Sequence, residues 1–320
     1  MKLSYGYQYW VPANLRDGEI PKIFHILAPS WEAVQPSIRH HLHKLLVDNP
    51  GYKIWFWSDD AILALAMYLG NDRVTNALLS ITPEYGPAFA DIARELITYT
   101  YGGEYLDIKG AKLDKAAGLL KALSPLPPVI LSTWGYNNQG QHIPQDADNQ
   151  GEIQNWRQSA APGHPLIFCK LVEICAEIEQ RQAVFHANPG NTAILGSGKD
   201  SVLRITGPIK TSRVVYDRRR MYNHILLPHY RLGYVYDAIG KHEKKQGEIG
   251  SKYPHYSKCT SPVLYSKPRL MPADIKPGVF FLELTLKEAK PTEYLRTTTI
   301  KRCEEFQRIM EEVNNAWTLL

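Results

Sequence analysis

Apolar positions along this chain alternate between two rhythms, short continuous runs of five or six residues and longer stretches with helical spacing. Runs at 22–27, 53–57 and 129–134 predict strands, and stretches at 31–47, 60–69, 73–80 and 165–180 predict helices. Such alternation predicts an α/β fold, a mostly parallel sheet flanked by helices, with helical additions. The best-marked element spans 87–101. Pro87 suits a first helical turn, and Gly102-Gly103 stops the helix. Phe89, Ile92, Ala93, Leu96 and Thr100 fall on one face, while Asp91, Arg94, Glu95 and Thr98 fall on another, which predicts a packed side and a side free for chemistry. A strand is expected at once over 104–109. Further on, 213–216 reads as extended and 298–317 as a closing amphipathic helix. The stretch 135–163, rich in Asn, Gln, Gly and Asp with little periodicity, reads as a loop facing an acceptor. No internal repeat is visible.

Composition bounds the class without naming the chemistry. With 320 residues and 44% hydrophobic content the chain can bury a large core. No stretch approaches the ~20 apolar residues of a membrane span, and Met1-Lys-Leu-Ser-Tyr5 lacks the apolar core of a signal peptide. A cytoplasmic protein is expected. Cys169, Cys175, Cys259 and Cys303 show no metal spacing and are expected to be free thiols. The net charge of +5 includes basic clusters at 218–220 and 241–245. These are either solvated loops or an attraction for anionic lipid head groups at the inner membrane face, or for an acidic acceptor. Nucleic acid is not expected, because the aromatic residues do not interleave with the basic clusters.

Candidate chemistry gathers around the 87–101 helix. Asp91 and Arg94, three residues apart, are neighbours on its surface, so a hydroxyl-binding carboxylate sits beside a phosphate-clamping guanidinium. Asp107 follows at the end of a buried-looking strand, where α/β sheets present ligand groups. A plain surface ion pair beside an incidental Asp reads equally well from spacing alone.

Several ordered motifs resemble glycosyltransferase family 32, which includes yeast mannosyltransferases, bacterial capsule and lipopolysaccharide enzymes and, more distantly, the clostridial glucosylating toxins. Phe89-Ala-Asp91-Ile-Ala-Arg94 followed by Tyr101-Gly-Gly-Glu-Tyr105-Leu-Asp107-Ile-Lys109 resembles its sugar-binding core. Ile20-Pro-Lys-Ile-Phe-His25, Asn49-Pro-Gly-Tyr52, Trp57-Ser-Asp59 and Thr206-Gly-Pro208 resemble other family motifs in the same order. The likeness is good over 20–110 and loose over 185–265. It implies a GT-A-like transferase domain over 1–265, followed by a C-terminal extension. The implied activity moves a hexosyl unit, with retention, from a nucleotide sugar to a carbohydrate, lipid-linked or protein hydroxyl. By the same resemblance Asp107 and Arg94 carry catalysis, and the donor meets His25, Trp57, Asp91, Arg94, Gly102, Gly103, Tyr105, Asp107, Lys109 and His255.

This chain departs from the family pattern at three places. The second acid of the D-x-D motif, which in the family binds Mn²⁺ or Mg²⁺, is Lys109, and an ammonium cannot ligate a hard cation. Either Asp107 holds the metal with a downstream residue, or Lys109 neutralises the diphosphate as a point charge. The base-stacking Trp position at the end of the first strand is Ala28, with Trp31 nearby as a packing ring or a substitute. The closing His is matched only by His255, with no Trp after it. A nucleotide-sugar-binding protein without turnover is therefore a second reading.

Overall fold

The computed structural model describes residues 19–32, 34–113, 128–134, 142, 151–236, 238–239, 253–275, 279–286 and 295–301. An eight-stranded sheet forms its centre. Its strands are β1 (Ile23–Leu27), β2 (Lys53–Trp57), β3 (Gly103–Leu106), β5 (Val129–Thr133), β6 (Arg157–Ala160), β7 (Ile225–Pro228), β9 (Val279–Leu286) and β10 (Leu295–Lys301), in the order β10-β9-β2-β1-β3-β6-β5-β7. Only β6 and β9 run against the other six. The mostly parallel α/β architecture expected from the sequence is therefore present. A small antiparallel pair, β4 (Ala111–Lys112) with β8 (Tyr234–Val235), lies outside the main sheet.

Strand alternation explains the two-sided core. Phe24, Ile26, Ile54, Phe56, Leu106 and Ile130 pack on one face with helix α1 (Pro36–Asp48), which contributes Ile38, Leu42, Leu45 and Leu46. Trp57, Val129 and Leu131 pack on the other with α2 (Asp59–Tyr68), α3 (Asp72–Ser80), α4 (Gly86–Tyr101) and α5 (Pro165–Ala187). Both faces are covered, so the strands read as continuous apolar runs.

Local chemistry sets the helix boundaries. α1 begins at Pro36 rather than Trp31, because Pro36 presets the first turn and holds Gln35 extended at φ −68° and ψ 157°. The Trp31 ring instead packs edge-on against Phe56, with the Arg39 guanidinium over it. Ser58 caps α2 by accepting from the Ala61 N–H at 3.1 Å. α4 ends where Gly102 adopts φ 64° and ψ −159°, a region that only glycine enters readily.

Three expectations are corrected. Residues 213–216, read as extended from Val214, Val215 and Tyr216, lie in helix α7 (Pro208–Arg218), which Pro208 starts and which follows the shorter α6 (Gly198–Ile205). The start of the expected closing helix is strand β10, where the run Thr297-Thr298-Thr299-Ile300 favours an extended backbone; 302–317 lie outside the described residues. The strand expected over 104–109 stops at Leu106, and the chain turns through Asp107 to Gly110.

Candidate functional site

The carboxyl ends of β1, β3, β5 and β7 share one edge of the sheet, and Asp107 immediately follows β3 there. Its N–H donates to the Trp156 carbonyl at 2.8 Å, and its own carbonyl accepts from the Gly110 N–H at 2.7 Å, which closes a tight turn. The Tyr105 hydroxyl donates to Asp107 Oδ1 at 3.2 Å. Arg94 Nη2 lies 3.7 Å from the same oxygen, and its Nη1 lies 2.8 Å from Asp91 Oδ1. The guanidinium also sits over the Tyr105 ring, 4.8 Å from its centroid. Asp91, Arg94, Tyr105 and Asp107 thus meet in one cluster.

Burial divides their roles. Asp91 is 5% and Arg94 4% exposed, whereas the Asp107 side chain is 30% exposed. Of the carboxylates at 91 and 107, Asp107 is the one presented to solvent. The polar face of α4 is not open as its pattern suggested; Glu95 and Thr98 are also fully buried. The reason lies in α5 and β6. Lys170 Nζ sits 2.6 Å from Glu95 Oε1, and Gln158 donates to Glu95 at 3.1 Å and to Thr98 at 3.2 Å. Polar groups carried by two neighbouring elements therefore satisfy a stripe that would otherwise need water.

Asp91 has its own supports. Thr206, from the Thr-Gly-Pro turn, donates to Oδ2 at 2.8 Å, and Asn155 donates to Oδ1 at 3.2 Å. Burial pushes the Asp91 carboxyl above its ordinary value, while Arg94, Thr206 and Asn155 pull the other way. Burial alone would lower the Arg94 pKa, but Asp91, Tyr105 and Asp107 reverse this and raise it. Within the guanidinium, Nε has no hydrogen-bond acceptor among the described residues, and Nη1 meets Asp91 as an ion pair outside hydrogen-bond geometry.

Other expected donor contacts are placed elsewhere. His25 is fully buried in mid-strand, where it accepts from Trp57 Nε1 at 3.1 Å on Nδ1 and donates from Nε2 to the Gly102 carbonyl at 2.7 Å. Both ring nitrogens are used and Trp57 itself is fully buried, so His25 and Trp57 tie three elements together. Gly102 and Gly103 are buried at the start of β3, away from Asp107 at its end. A Cβ at Gly102 would lie 2.5 Å from Pro162 Cδ, and one at Gly103 2.9 Å from the Ile23 carbonyl, so these glycines serve close packing. Lys109 is 4% exposed, and its ammonium donates to the Tyr236 hydroxyl at 3.0 Å while lying 4.3 Å from that ring's centroid. His255 caps the short turn Tyr256–Lys258, accepting from the Ser257 N–H at 3.3 Å.

A Mn²⁺ or Mg²⁺ ion needs several oxygen ligands. The described residues hold no cluster of three metal-ligating side chains, and the groups nearest Asp107 Oδ1 are a guanidinium and a donating phenol. Asp107 is the carboxylate of the cluster open to solvent, and the Lys109 ammonium stands where the family pattern has a second acid.

Three groups went unnoticed in the sequence. Asn155 and Arg157 lie in the stretch read as a loop, yet 151–164 are almost wholly buried and contain β6. The alternation of Gln154, Asn155, Arg157 and Gln158 resembles a solvated segment because its partners are polar. Tyr256 is the third. Burial pushes its phenol up to about 12, and the charges of Asp91, Asp107 and Glu152 act in the same direction.

Beneath the site a second buried pair locks the chain. Lys112 Nζ lies 2.5 Å from Glu104 Oε1, Tyr52 donates to Glu104 at 2.6 Å, and Tyr234 donates to its other oxygen. This network ties β4 and β8 to β3 on either side of the Asp107 turn.

No protein-family model matches the chain, and no curated protein matches it. Among solved structures, the PaToxG glycosyltransferase is similar over 62% of this chain and 70% of that chain, at 13% identity and a TM-score of 0.36.

Proposed function

We propose that this chain transfers a glycosyl unit from a nucleotide-sugar donor to a hydroxyl acceptor. The observation that carries the reading is the cluster at the end of β3, in which a carboxylate open to solvent is held by a buried guanidinium and a phenol. Its residue types and order resemble those of the family 32 sugar-binding core. A nucleotide sugar presents hydroxyls and a diphosphate, and Asp107 accepts hydrogen bonds from hydroxyls. Arg94 positions Asp107, and its cationic field favours charge developing on the departing diphosphate. Asp91 holds Arg94 in place. In the transfer the bond from the anomeric carbon to the diphosphate oxygen breaks, with its electron pair leaving on that oxygen. The acceptor oxygen bonds the same carbon, and the acceptor proton ends on the diphosphate. Retention follows the family likeness.

The placement of Lys109 favours a second reading, binding without turnover. Its ammonium is buried against Tyr236, in the position where the family pattern has an acid. Donor hydrolysis separates the two. A panel of nucleotide sugars is screened for thermal stabilisation, and the best one is incubated with the wild type and with Asp107→Asn. Slow release of free sugar that the variant lowers at least about 100-fold supports transfer, in line with the loss of a transition-state contact. Stabilisation without any release supports binding alone, and no stabilisation by any donor refutes both.

A further inference from the structure

A cleft of about 590 Å³ opens beyond the N-terminal end of α4, a volume ordinary for a small-molecule site. Its lining residues include the aromatic Phe185, Tyr253 and Tyr265, the hydroxyl-bearing Thr192 and Ser266, and Glu84. Among the described residues no lysine, arginine or histidine lines it, so those residues offer a nucleotide diphosphate no counter-charge. Rings beside hydroxyls suit a neutral polyhydroxylated ligand, whose C–H faces stack while its hydroxyls exchange hydrogen bonds.

Its position relates it to the Asp107 cluster. Glu84 immediately precedes α4, and Asp91 lies five residues into that helix from Gly86, about 7.5 Å along the axis at 1.5 Å per residue. The segment 253–266 contributes Tyr253, Ser261 and Tyr265 to the cleft, and its Tyr256 packs against the same apolar core as α4. Its attachment is firm. Thr82 donates to the Pro262 carbonyl at 2.8 Å, Ser261 donates to Glu84 at 2.7 Å, and Tyr85 donates to the Ser261 carbonyl at 2.7 Å.

We infer that this cleft binds a neutral glycan, the acceptor of the transfer, in a subsite formed by the 253–266 segment and the turn before α4. The acceptor role rests on the transferase reading; the binding of a glycan does not. Saturation-transfer NMR with lactose, maltose, cellobiose and N,N′-diacetylchitobiose, each at millimolar concentration and without nucleotide, tests it. The expected result is a signal from at least one disaccharide, weakened about tenfold or more in Thr192→Trp, which fills the cleft from an exposed position, and in Tyr253→Ala. Nucleotide-sugar stabilisation should be unchanged in both variants, which also shows that they are folded. Absence of signal from all four sugars overturns the inference, as does a signal that both variants retain. A wild type that binds a disaccharide here but no nucleotide sugar supports the glycan cleft and defeats the transferase reading.

Discussion

Lowering the pH should destabilise this protein through one buried imidazole. His25 is fully buried among Trp55, Trp57 and Tyr101, and its two hydrogen bonds fix the neutral form with the proton on Nε2. Desolvation lowers its pKa from 6.5 to about 4, against a smaller opposing contribution from the Gly102 carbonyl. Between those values the unfolded chain takes up a proton that the folded chain refuses, so stability falls as the pH drops from about 6.5 to about 4 and is not lost further below that. At about 1.4 kcal/mol per pH unit the whole interval amounts to about 3 kcal/mol, of which about 2 kcal/mol is gone by pH ~4.5. His164, also lowered to about 4 by burial, acts in the same direction, and Asp59, raised to about 6 by burial, acts in the opposite one. A comparison with His25→Gln cancels both. Gln still donates to Gly102 but does not titrate, so the variant should be less stable at neutral pH yet lose about 2 kcal/mol less than the wild type on acidification. Urea unfolding at pH ~7 and pH ~4.5 for both proteins measures this. Equal losses in the two would refute the assignment of a neutral, sealed His25.

Lys112→Met leaves the Glu104 carboxylate buried without its cation and should cost about 3–5 kcal/mol, with partial recovery in Lys112→Met/Glu104→Gln; denaturant midpoints test both. Gly102→Ala forces a side chain into a glycine-only conformation and against Pro162, which should cost at least about 2 kcal/mol by thermal unfolding while leaving donor turnover per folded molecule unchanged. Chelation with EDTA should change neither donor affinity nor hydrolysis, as measured by titration calorimetry and sugar release; a loss of both would show that a metal ion is held after all.

The sheet's inner strands could be read from the chain because their signal is local. Ile23–Leu27 and Lys53–Trp57 are apolar on both faces, and proline or glycine marks the ends of α4. What escaped detection depended on partners distant in sequence. Gln158 and Asn155 look like loop residues until Glu95, Thr98 and Asp91 are seen to meet them, 60 to 64 positions away. The same holds for His25, whose motif position suggested a ligand contact although Trp57 and Gly102 occupy both of its nitrogens. Asp91 and Arg94 were recognisable as a pair from their spacing, but their burial was not, because it comes from α5 and β6.

The seating of β9 between β2 and β10 has a consequence for synthesis. Trp55 meets Glu283 across 228 residues, with the indole donating to the carboxylate at 3.0 Å, so the hydrogen-bonding edge of β2 finds its neighbour only after most of the chain has left the ribosome. Until then an apolar strand stands with an unpaired edge, a state prone to pairing with another nascent chain. Yield at high expression temperature, and rescue by chaperones that shield such edges, should therefore depend on how quickly translation proceeds from β8 to β9.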